Sequence, residues 1–149
     1  MRNVREAEKR DLDALLSLYL FLHEDRIPNR DGPVQAAWMR IMDDPNHHVI
    51  VSEENGRIVS SCICVIVPNL THDVRPYALV ENVVTHPGFR GRGHASRCLG
   101  RAREIAEENG CYKIMLMTGS QQEATHRFYR NAGYNSADKT AYIQWLNDQ

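Results

Sequence analysis

The stretch that decides the fold reads VVTHPGFRGRGHA and runs from Val83 to Ala95. It begins as an extended apolar segment, passes through a turn with glycines at Gly91 and Gly93, and continues into a basic helix. Because glycine has no side chain, the backbone at such positions can approach a ligand closely and present its N–H groups to it. The positive end of the following helix dipole stabilises a phosphate at the same place. The stretch therefore predicts a cradle for a diphosphate.

The bulk composition predicts one ordinary globular domain over residues 1–149. The chain carries 18 basic and 19 acidic residues, so its net charge of −1 creates no field that recruits nucleic acid or a membrane surface. No segment approaches the roughly 20 apolar residues of a membrane span, and the N-terminus lacks the apolar core of a secretion signal. We therefore expect a cytoplasmic protein without a nucleic-acid or membrane partner.

The four cysteines predict reduced, buried thiols rather than disulfides or a metal site. They are scattered along the chain at Cys62, Cys64, Cys98 and Cys111. Cys62 and Cys64 would point to one side of a strand, but no His-x-x-x-His pattern follows to complete a zinc ligand set. We expect no bound metal.

The first half of the chain predicts an N-terminal strand, two helices and a run of strands. The helices are a first one capped by Asp11 and a second one with Pro33 in its first turn. Strand patterns follow at three segments, which are 48–52, 58–67 and 77–85. The first two strands flank Asn55-Gly56, a strong signal for a tight hairpin turn.

The second half predicts an alternation of helices and strands. A helix follows the glycine turn and ends at Asn109-Gly110, and residues 112–117 form a short strand buried on both faces. Ser120 to Glu123 has the pattern of a capping box that opens a helix running to Gly133, and residues 139–146 form a last strand. The predicted class is mixed α/β, with a six- to seven-stranded mixed sheet and helices on both faces.

Two motifs resemble the GNAT superfamily of N-acetyltransferases. Residues 90–95 read RGRGHA and match the family signature Gln/Arg-x-x-Gly-x-Gly/Ala, placed between a strand and a helix. Residues 128–134 read FYRNAGY, an aromatic pair before a Gly-aromatic step, which is a second mark of the family. The two motifs in this order are more specific than either alone, and the resemblance covers nearly the whole chain.

One branch of that superfamily is more similar than the rest. Residues 80–84, the Arg90-Gly91 pair and residues 110–114 resemble the glucosamine-6-phosphate N-acetyltransferases. The chain departs from that branch at Asn82, where an Asp is usual, and at residues 117–119, where an acidic residue is usual.

The resemblance implies acetyl-coenzyme A as cosubstrate and a set of residues that hold it. Backbone amides at the helix start would face the diphosphate, and they belong to Gly91, Arg92, Gly93, His94, Ala95 and Ser96. The backbone of Val83, Val84 and Thr85 would pair with the pantetheine arm like another strand. Arg90, Arg92 or Arg97 would reach the 3′-phosphate, with solvation of the helix as the alternative for each. Gln122 would touch the coenzyme or stand exposed at a helix start.

The resemblance also implies the catalytic groups. Glu81, which interrupts an otherwise apolar strand, would accept the proton of the amine, directly or through a water; the alternative is a structural Glu tied into the sheet by a Lys or an Arg. Tyr129 would protonate the leaving thiolate, or else pack on the sheet with its hydroxyl bonded to a neighbour. A backbone amide near Val83 or Val84 would polarise the thioester carbonyl where the sheet splays. The histidines at 86, 94 and 126 are expected at the surface or in loops.

The acceptor pocket is expected from four segments, which are the 23–31 loop, the second helix with Trp38, the 68–76 loop, and the last strand with Tyr142. Acidic side chains at Glu24 and Asp25 would attract an amine. Arginines at 26, 30 and 75 would hold a phosphate or carboxylate. The alternative for each of these residues is a solvated charge in a loop, without a role in binding.

Three function classes follow from these residues. The leading hypothesis is transfer of an acetyl group from acetyl-coenzyme A to a primary amine of a small molecule, in a possible homodimer. A protein or peptide amine as acceptor, or a non-catalytic coenzyme-binding module, stays open. A dinucleotide-binding oxidoreductase is rejected, because the Gly91-x-Gly93-x-x-Ser96 pattern alone is weak and the expected acid after the 112–117 strand is missing.

Overall fold

A computed structural model describes residues 2–22, 24–29 and 31–147. Its contacts group into two compact units, Met1–Leu116 and Met117–Gln149. A single domain over 1–149 stays a prediction. None of the helices in the described residues is long and apolar enough to cross a bilayer.

The described residues of the first unit form a five-stranded mixed sheet and three α-helices of seven or more residues. In chain order its elements are β1 (Arg2–Glu6), α1 (Leu12–Leu18), α2 (Gly32–Asp43), β2 (His47–Glu54), β3 (Arg57–Val67), β4 (Tyr77–Thr85), α3 (His94–Glu108) and β5 (Ile114–Leu116). The strands lie in the order β1-β2-β3-β4-β5, with antiparallel neighbours except for the parallel pair β4 and β5. The mixed α/β class is confirmed, whereas the predicted six to seven strands are five in the described part of the chain.

The predicted hairpin turn is confirmed at Asn55 and Gly56, whose φ angles of 53° and 81° suit the tight turn between β2 and β3.

Cys62 and Cys64 are both buried on β3, and the Cys64 thiol lies 3.8 Å from the Ala102 carbonyl oxygen of α3. Burial raises the pKa of the Cys64 thiol to about 11. The expectation of buried thiols therefore holds for Cys62, Cys64 and Cys98, whereas Cys111 is only half-buried.

Helices cover both faces of the sheet. On one face, strand side chains pack with α1 and α2, in a cluster of Leu12, Leu15, Trp38, Val49, Val51 and Ile63. On the other face, α3 supplies Cys98, Leu99, Ala102, Ile105 and Ala106 to the core. Because successive strand residues point to opposite faces, the alternating burial of β4 follows directly. The prediction of helices on both faces is confirmed.

Asp11 does not cap α1 with its side chain, contrary to prediction. Its carboxylate accepts hydrogen bonds from the Arg5 guanidinium at 2.7 Å and from the Glu8 backbone N–H at 2.7 Å. The side chain therefore closes the short turn before α1 and ties it to β1. The hydrogen bond from Arg5 lowers the pKa of the Asp11 carboxyl, an effect that burial partly opposes.

The second unit contains one helix, α4 (Glu123–Asn131), and otherwise loops in its described residues. The predicted capping box is wrong: Gln122 precedes the helix, while the Ser120 hydroxyl accepts the Gln122 backbone N–H at 3.2 Å. The predicted strand over 139–146 is also wrong, because these residues have no ladder partner and their side chains are exposed. An alternating pattern forms a strand only where a neighbour accepts its backbone hydrogen bonds.

The strand β5 is shorter than the predicted 112–117, and its three side chains are half-buried rather than buried on both faces. It lies at the edge of the sheet, beside β4 alone within the first unit. A strand at a sheet edge has fewer neighbours to cover it, and an apolar sequence does not reveal that position.

Candidate active site

A β-bulge interrupts β4 in the middle of the sheet. Ile63 pairs with Glu81 and Ser61 pairs with Val84, so two residues of β4 stand opposite the single residue Cys62. One of the two, Asn82, has a φ of 52°, in the left-handed region that Asn tolerates better than most residues. Bulges re-aim side chains and amides next to active sites. Sequence analysis noted Asn82 only as a departure from the branch and gave it no role, since its signal is a single Asn inside an apolar strand.

Beyond the bulge, β4 has strand pairing on one side only. The parallel neighbour β5 pairs with Ala78, Leu79 and Val80 and goes no further. From Glu81 to Thr85 the described residues provide no strand on that side, whereas β3 still pairs on the other side. The open edge leaves main-chain groups that an extended ligand can pair with as an added strand.

The strand leads into a loop with two glycines in the left-handed region. Gly91 has a φ of 77° and Gly93 a φ of 81°, and Gly93 immediately precedes the 15-residue helix α3. A Cβ atom built at Gly93 would lie 3.0 Å from Nη1 of Arg97, while one at Gly91 meets no atom within 4 Å. The space around Gly91 is therefore open, and Gly93 immediately precedes the N-terminus of a long helix. A diphosphate cradle needs both features.

Two arginines shape this loop. Arg92 pairs with Glu54 at 2.6 Å, and its guanidinium carbon lies 5.0 Å from the centre of the Phe89 ring. Arg97 folds back from α3 and donates to the Arg92 carbonyl oxygen at 3.1 Å. These contacts fix the conformation of the loop before any ligand arrives, which lowers the entropy cost of binding.

Three more arginines lie close in sequence to Arg92 and Arg97, and they are of two kinds. Arg101 and Arg103 pair with glutamates of α3 itself, which are Glu104, Glu107 and Glu108. These two arginines therefore form ion pairs within the helix itself. Arg90 is exposed in the loop and forms no ion pair within the described residues, so its charge is available to a ligand.

His94 is buried, with 1% exposure, which corrects the expectation of a surface or loop histidine. Its Nδ1 lies 2.7 Å from the Ser52 hydroxyl, and its Nε2 lies 3.7 Å from a Glu54 carboxylate oxygen. The first residue of α3 is therefore fastened to β2. The remaining positions of the cradle, Ala95 and Ser96, lie half-buried and exposed in the first turn of α3.

Glu81 lies on a strand, β4, as predicted, and it immediately precedes the bulge. Its side chain is exposed rather than shielded within the sheet. Beside it, Tyr19 forms a side-chain hydrogen bond with Asn82, and burial raises the pKa of the Tyr19 phenol to about 12. Phe21 packs edge-on against His86, with 4.8 Å between ring centres. Sequence analysis assigned no role at the bulge to Tyr19, which reads as one apolar position of a helix.

The second unit holds the other two predicted site residues. Tyr129 lies half-buried on α4 next to Phe128 and Tyr134, with ring centres 5.2 Å and 6.4 Å away. Gln122 is exposed at the start of the same helix. The first unit thus brings together Glu81, the open edge of β4 and the glycine loop, and Tyr129 and Gln122 belong to a different unit.

The expected acceptor pocket is only partly formed. The described residues of the 23–31 loop line a cavity of about 220 Å³ with Val34 of α2. Glu24 and Asp25 are exposed, whereas the predicted contributions of His23 and Arg30 lie outside the described residues. Trp38 is buried in the core and bonds to the Lys9 carbonyl oxygen, so it serves packing.

The profile of the acetyltransferase (GNAT) family matches residues 12–134. The chain belongs to the GNAT family. The matched range of this GNAT chain includes the bulge, the glycine loop, and α4 with Tyr129. The resemblance drawn from the two motifs is therefore confirmed at the level of the family.

Individual relatives agree with this assignment. The glucosamine 6-phosphate N-acetyltransferase of Trypanosoma brucei brucei is 31% identical over 91 residues, which cover 61% of this chain and 60% of that protein. The chain spans between 58% and 64% of the length of the curated relatives it matches. The relation to the glucosamine-6-phosphate branch is thus supported by sequence as well as by motif.

Solved structures share the fold. An inferred acetyltransferase from Agrobacterium tumefaciens is 36% identical, with a TM-score of 0.89 over 96% of this chain and 99% of that one. The structure of AAC(6′)-Iy with a bisubstrate analogue, CoA-S-monomethyl-acetylneamine, is 15% identical, with a TM-score of 0.79 over 99% of both chains. At that identity the second likeness concerns the fold alone.

Proposed function

We propose that this GNAT protein transfers an acetyl group from acetyl-coenzyme A to a primary amine of a small molecule, by direct attack in a ternary complex. The observation that carries the proposal is the construction of β4. Its open edge begins at the bulge and ends in the glycine loop at the start of α3. A long, extended molecule with amides at one end and a diphosphate at the other fits that sequence of features.

The cosubstrate would be held in two parts. Main-chain groups of Val83, Val84 and Thr85 would pair with the amides of the pantetheine arm, and the N–H groups of residues 91–96 would bind the diphosphate. Arg90, which has no carboxylate partner in the described residues, would reach the 3′-phosphate. Membership of the acetyltransferase (GNAT) family supports acetyl-coenzyme A as the donor.

The reaction needs a proton to leave the amine and another to reach the thiolate. Glu81 would take the first proton, directly or through a water, which leaves the amine nitrogen free to attack the thioester carbonyl carbon. The C–N bond forms and the C–S bond breaks. Tyr129 would donate its phenolic proton to the sulfur and regain one, through water, from the attacking nitrogen, which loses its second proton as the neutral amide forms. An amide at the bulge, near Val83, would stabilise the carbonyl oxygen as negative charge develops on it.

A thiol-release assay with acetyl-coenzyme A and a panel of amino sugars, amino acids and peptides tests the proposal. We expect free coenzyme A to appear with at least one small amine, together with a mass increase of that amine by one acetyl group. Release of thiol with peptides alone would favour a protein acceptor instead. Binding of acetyl-coenzyme A without turnover of any amine would favour a non-catalytic module.

Two substitutions separate catalysis from binding. Tyr129→Phe removes one hydroxyl, and we expect kcat to fall about 10- to 100-fold while the Kd for acetyl-coenzyme A stays unchanged. Glu81→Gln should lower kcat by a similar factor, with recovery as the pH rises and the amine loses its own proton. Equal kcat in Tyr129→Phe and the wild type would remove Tyr129 from the mechanism. A cytoplasmic location and a homodimer stay predictions.

A further inference from the structure

The short turn Tyr19–Phe21, which follows α1, lies against the second half of β4. Tyr19 forms a side-chain hydrogen bond with Asn82 in the bulge. The Phe21 ring packs edge-on against His86, one residue beyond the end of β4. The turn therefore contacts β4 at the bulge and again where the strand passes into the glycine loop.

The Tyr19 side chain is held at both of its ends. Its ring packs against the core cluster that α1 and α2 form with the sheet, beside residues such as Leu15 and Ile63. Its hydroxyl meets Asn82, which is itself exposed on the sheet. A ring that is fixed in a close-packed core has few rotamers left, so its hydroxyl occupies a defined position. Tyr19 can therefore fix the side chain that it bonds to.

The bulge is the part of β4 that the sheet itself holds least. The ladder with β3 passes from Glu81 to Val84 and includes neither Asn82 nor Val83. Before the bulge, β4 is paired on both sides, by β3 and by β5. After it, the buried Ser60 hydroxyl of β3 donates a hydrogen bond to the Val84 carbonyl oxygen at 2.9 Å. The hydrogen bond from the turn thus reaches the stretch that the ladder passes over.

The orientation of one amide depends on the conformation of Asn82. The peptide plane between Asn82 and Val83 carries the Val83 N–H group, and the backbone angles of Asn82 determine how that plane is turned. The φ of Asn82 is 52°, in a region that is less favourable than ordinary strand geometry for a residue with a Cβ. Such a conformation persists only where surrounding contacts maintain it. A hydrogen bond at the Asn82 side chain is a contact of that kind.

We propose that Tyr19 is a positioning residue, which holds the bulge through Asn82 so that the Val83 amide is directed at the thioester carbonyl oxygen. Tyr19 touches neither the coenzyme nor the acceptor in this role. Burial raises the pKa of the Tyr19 phenol to about 12, so the hydroxyl stays protonated at neutral pH and the contact does not titrate there. The inference rests on the proposed acetyl transfer and names the side chain that orients its carbonyl-polarising amide.

Two single variants and their double variant test the proposal. Tyr19→Phe removes the hydroxyl and keeps the ring in the core, and we expect kcat to fall about 10-fold because the amide donor is misaligned as negative charge develops. The Kd for coenzyme A, which lacks the thioester carbonyl, should stay within about twofold of wild type. Asn82→Gly permits a φ of 52° without a side chain and should lower kcat by a similar factor.

Because both substitutions break the same contact, the double variant should also lose about 10-fold in kcat, and not about 100-fold. Losses that multiply in the double variant would show that Tyr19 acts independently of Asn82, which overturns the inference. An unchanged kcat in Tyr19→Phe overturns it as well.

Ser61→Ala is the matched control for the loss of a hydroxyl. Ser61 is buried on β3 beside the bulge, and its hydroxyl donates to the Ile50 carbonyl oxygen of β2 at 2.7 Å, away from β4. The substitution should lower the midpoint of thermal unfolding as Tyr19→Phe does and leave kcat within about twofold of wild type. Equal losses of kcat in Ser61→Ala and Tyr19→Phe would assign the effect to general destabilisation and overturn the inference.

A measurement without turnover separates this inference from the proposed function. Backbone chemical shifts of Asn82 and Val83 report the conformation of the bulge, and those of Leu79 report the strand before it. We expect Tyr19→Phe to change the shifts of Asn82 and Val83 and to leave those of Leu79 unchanged. Unchanged shifts at the bulge overturn the inference and leave acetyl transfer intact. Changed shifts in a protein that acetylates no amine overturn the positioning role along with the proposed function.

Discussion

The two ends of β4 are built in different ways. At the Thr85 end, the surface is made by main chain: an unpaired strand edge, two glycines with positive φ, and the start of α3. At the Tyr77 end, it is made by side chains that come from two segments nearly 40 residues apart, around Arg75 and Lys113. A main-chain surface suits a molecule that every member of a family shares, since it depends little on side-chain identity. A side-chain surface can change from one relative to the next without disturbing the fold.

The largest expected effect is on the main-chain end. Gly93→Val places a β-branched residue at a φ of 81°, with its Cβ 3.0 Å from the Arg97 guanidinium. We expect the Kd for acetyl-coenzyme A to rise about 100-fold, equivalent to about 2.7 kcal/mol, because the loop must rearrange. Calorimetric titration with the intact thioester measures it.

Gly56→Val is the matched control, since Gly56 has the same φ of 81° in the β2–β3 turn and open space around it. It should lower stability through backbone strain and leave coenzyme affinity unchanged. Equal loss of affinity in both variants would mean that general destabilisation, and not the cradle, explains the effect of Gly93→Val.

A smaller effect is expected from substitution of His94, the buried histidine that links the start of α3 to β2. His94→Ala removes a buried ring and its contact with the Ser52 hydroxyl, which should lower the free energy of unfolding by about 2 kcal/mol. Because α3 then loses its attachment to β2, acetyl-coenzyme A affinity should fall as well, about 10-fold. Chemical denaturation and calorimetry on the same samples provide both numbers.

Ser52→Ala removes only the hydroxyl partner and should cost about 1 kcal/mol. If His94→Ala is no more destabilising than Ser52→Ala, the buried ring contributes nothing beyond its hydrogen bond. KM for the amine acceptor should be the same in both variants, because neither His94 nor Ser52 belongs to the Tyr77 end of β4.

The contrast between the two ends also explains what the sequence could predict. The proposed diphosphate cradle is formed by one continuous segment of chain. The spacing of Gly91 and Gly93 and the helix after them can therefore be predicted from the sequence. The side chains at the Tyr77 end are not contiguous: the sequence predicts Arg75 as one of three loop arginines that would hold a phosphate or carboxylate, and nothing in the sequence links it to Lys113. The bulge is intermediate, since Asn82 tolerates a positive φ but also occurs in ordinary strands and turns.

The misassigned elements have physical causes of the same kind. Residues 139–146 have an alternating pattern, yet a strand also needs a partner, which no local pattern supplies. Asp11 has the residue type of a helix cap, but Arg5 lies close in space and competes for its carboxylate. His94 has a polar side chain at a helix start, which usually means exposure, and only the packing of α3 on β2 buries it.

The ion pair between Arg5 and Asp11 lies outside both ends of β4. A substitution there should change stability and leave the binding of coenzyme and acceptor unaffected. Asp11→Asn removes the charge that pairs with Arg5, and we expect about 1.5 kcal/mol of destabilisation at neutral pH. The folded state lowers the pKa of this carboxyl, so its contribution is present above the unfolded pKa of about 3.9 and is lost as the pH falls through the folded value. Denaturation midpoints of the two proteins should therefore converge in acid. A gap that stays constant down to pH values of about 2 would show that the charge is not its source.

The smallest expected effect tests whether the cradle depends on the loop alone or also on the stiffness of the helix that follows it. Gly100 lies on the exposed side of α3, and a Cβ atom built there meets no atom within 4 Å. Gly100→Ala should therefore stabilise the protein by about 0.5 to 1 kcal/mol, because alanine loses less backbone entropy in a helix. The midpoint of thermal unfolding measures the gain. Coenzyme affinity should stay within about twofold, since the conformations of Gly91 and Gly93 are already held by Arg92 and Arg97. A clear increase in affinity would mean that fraying of α3 limits binding at the Thr85 end, and that the contrast between a rigid main-chain end and an adaptable side-chain end is weaker than the contacts indicate.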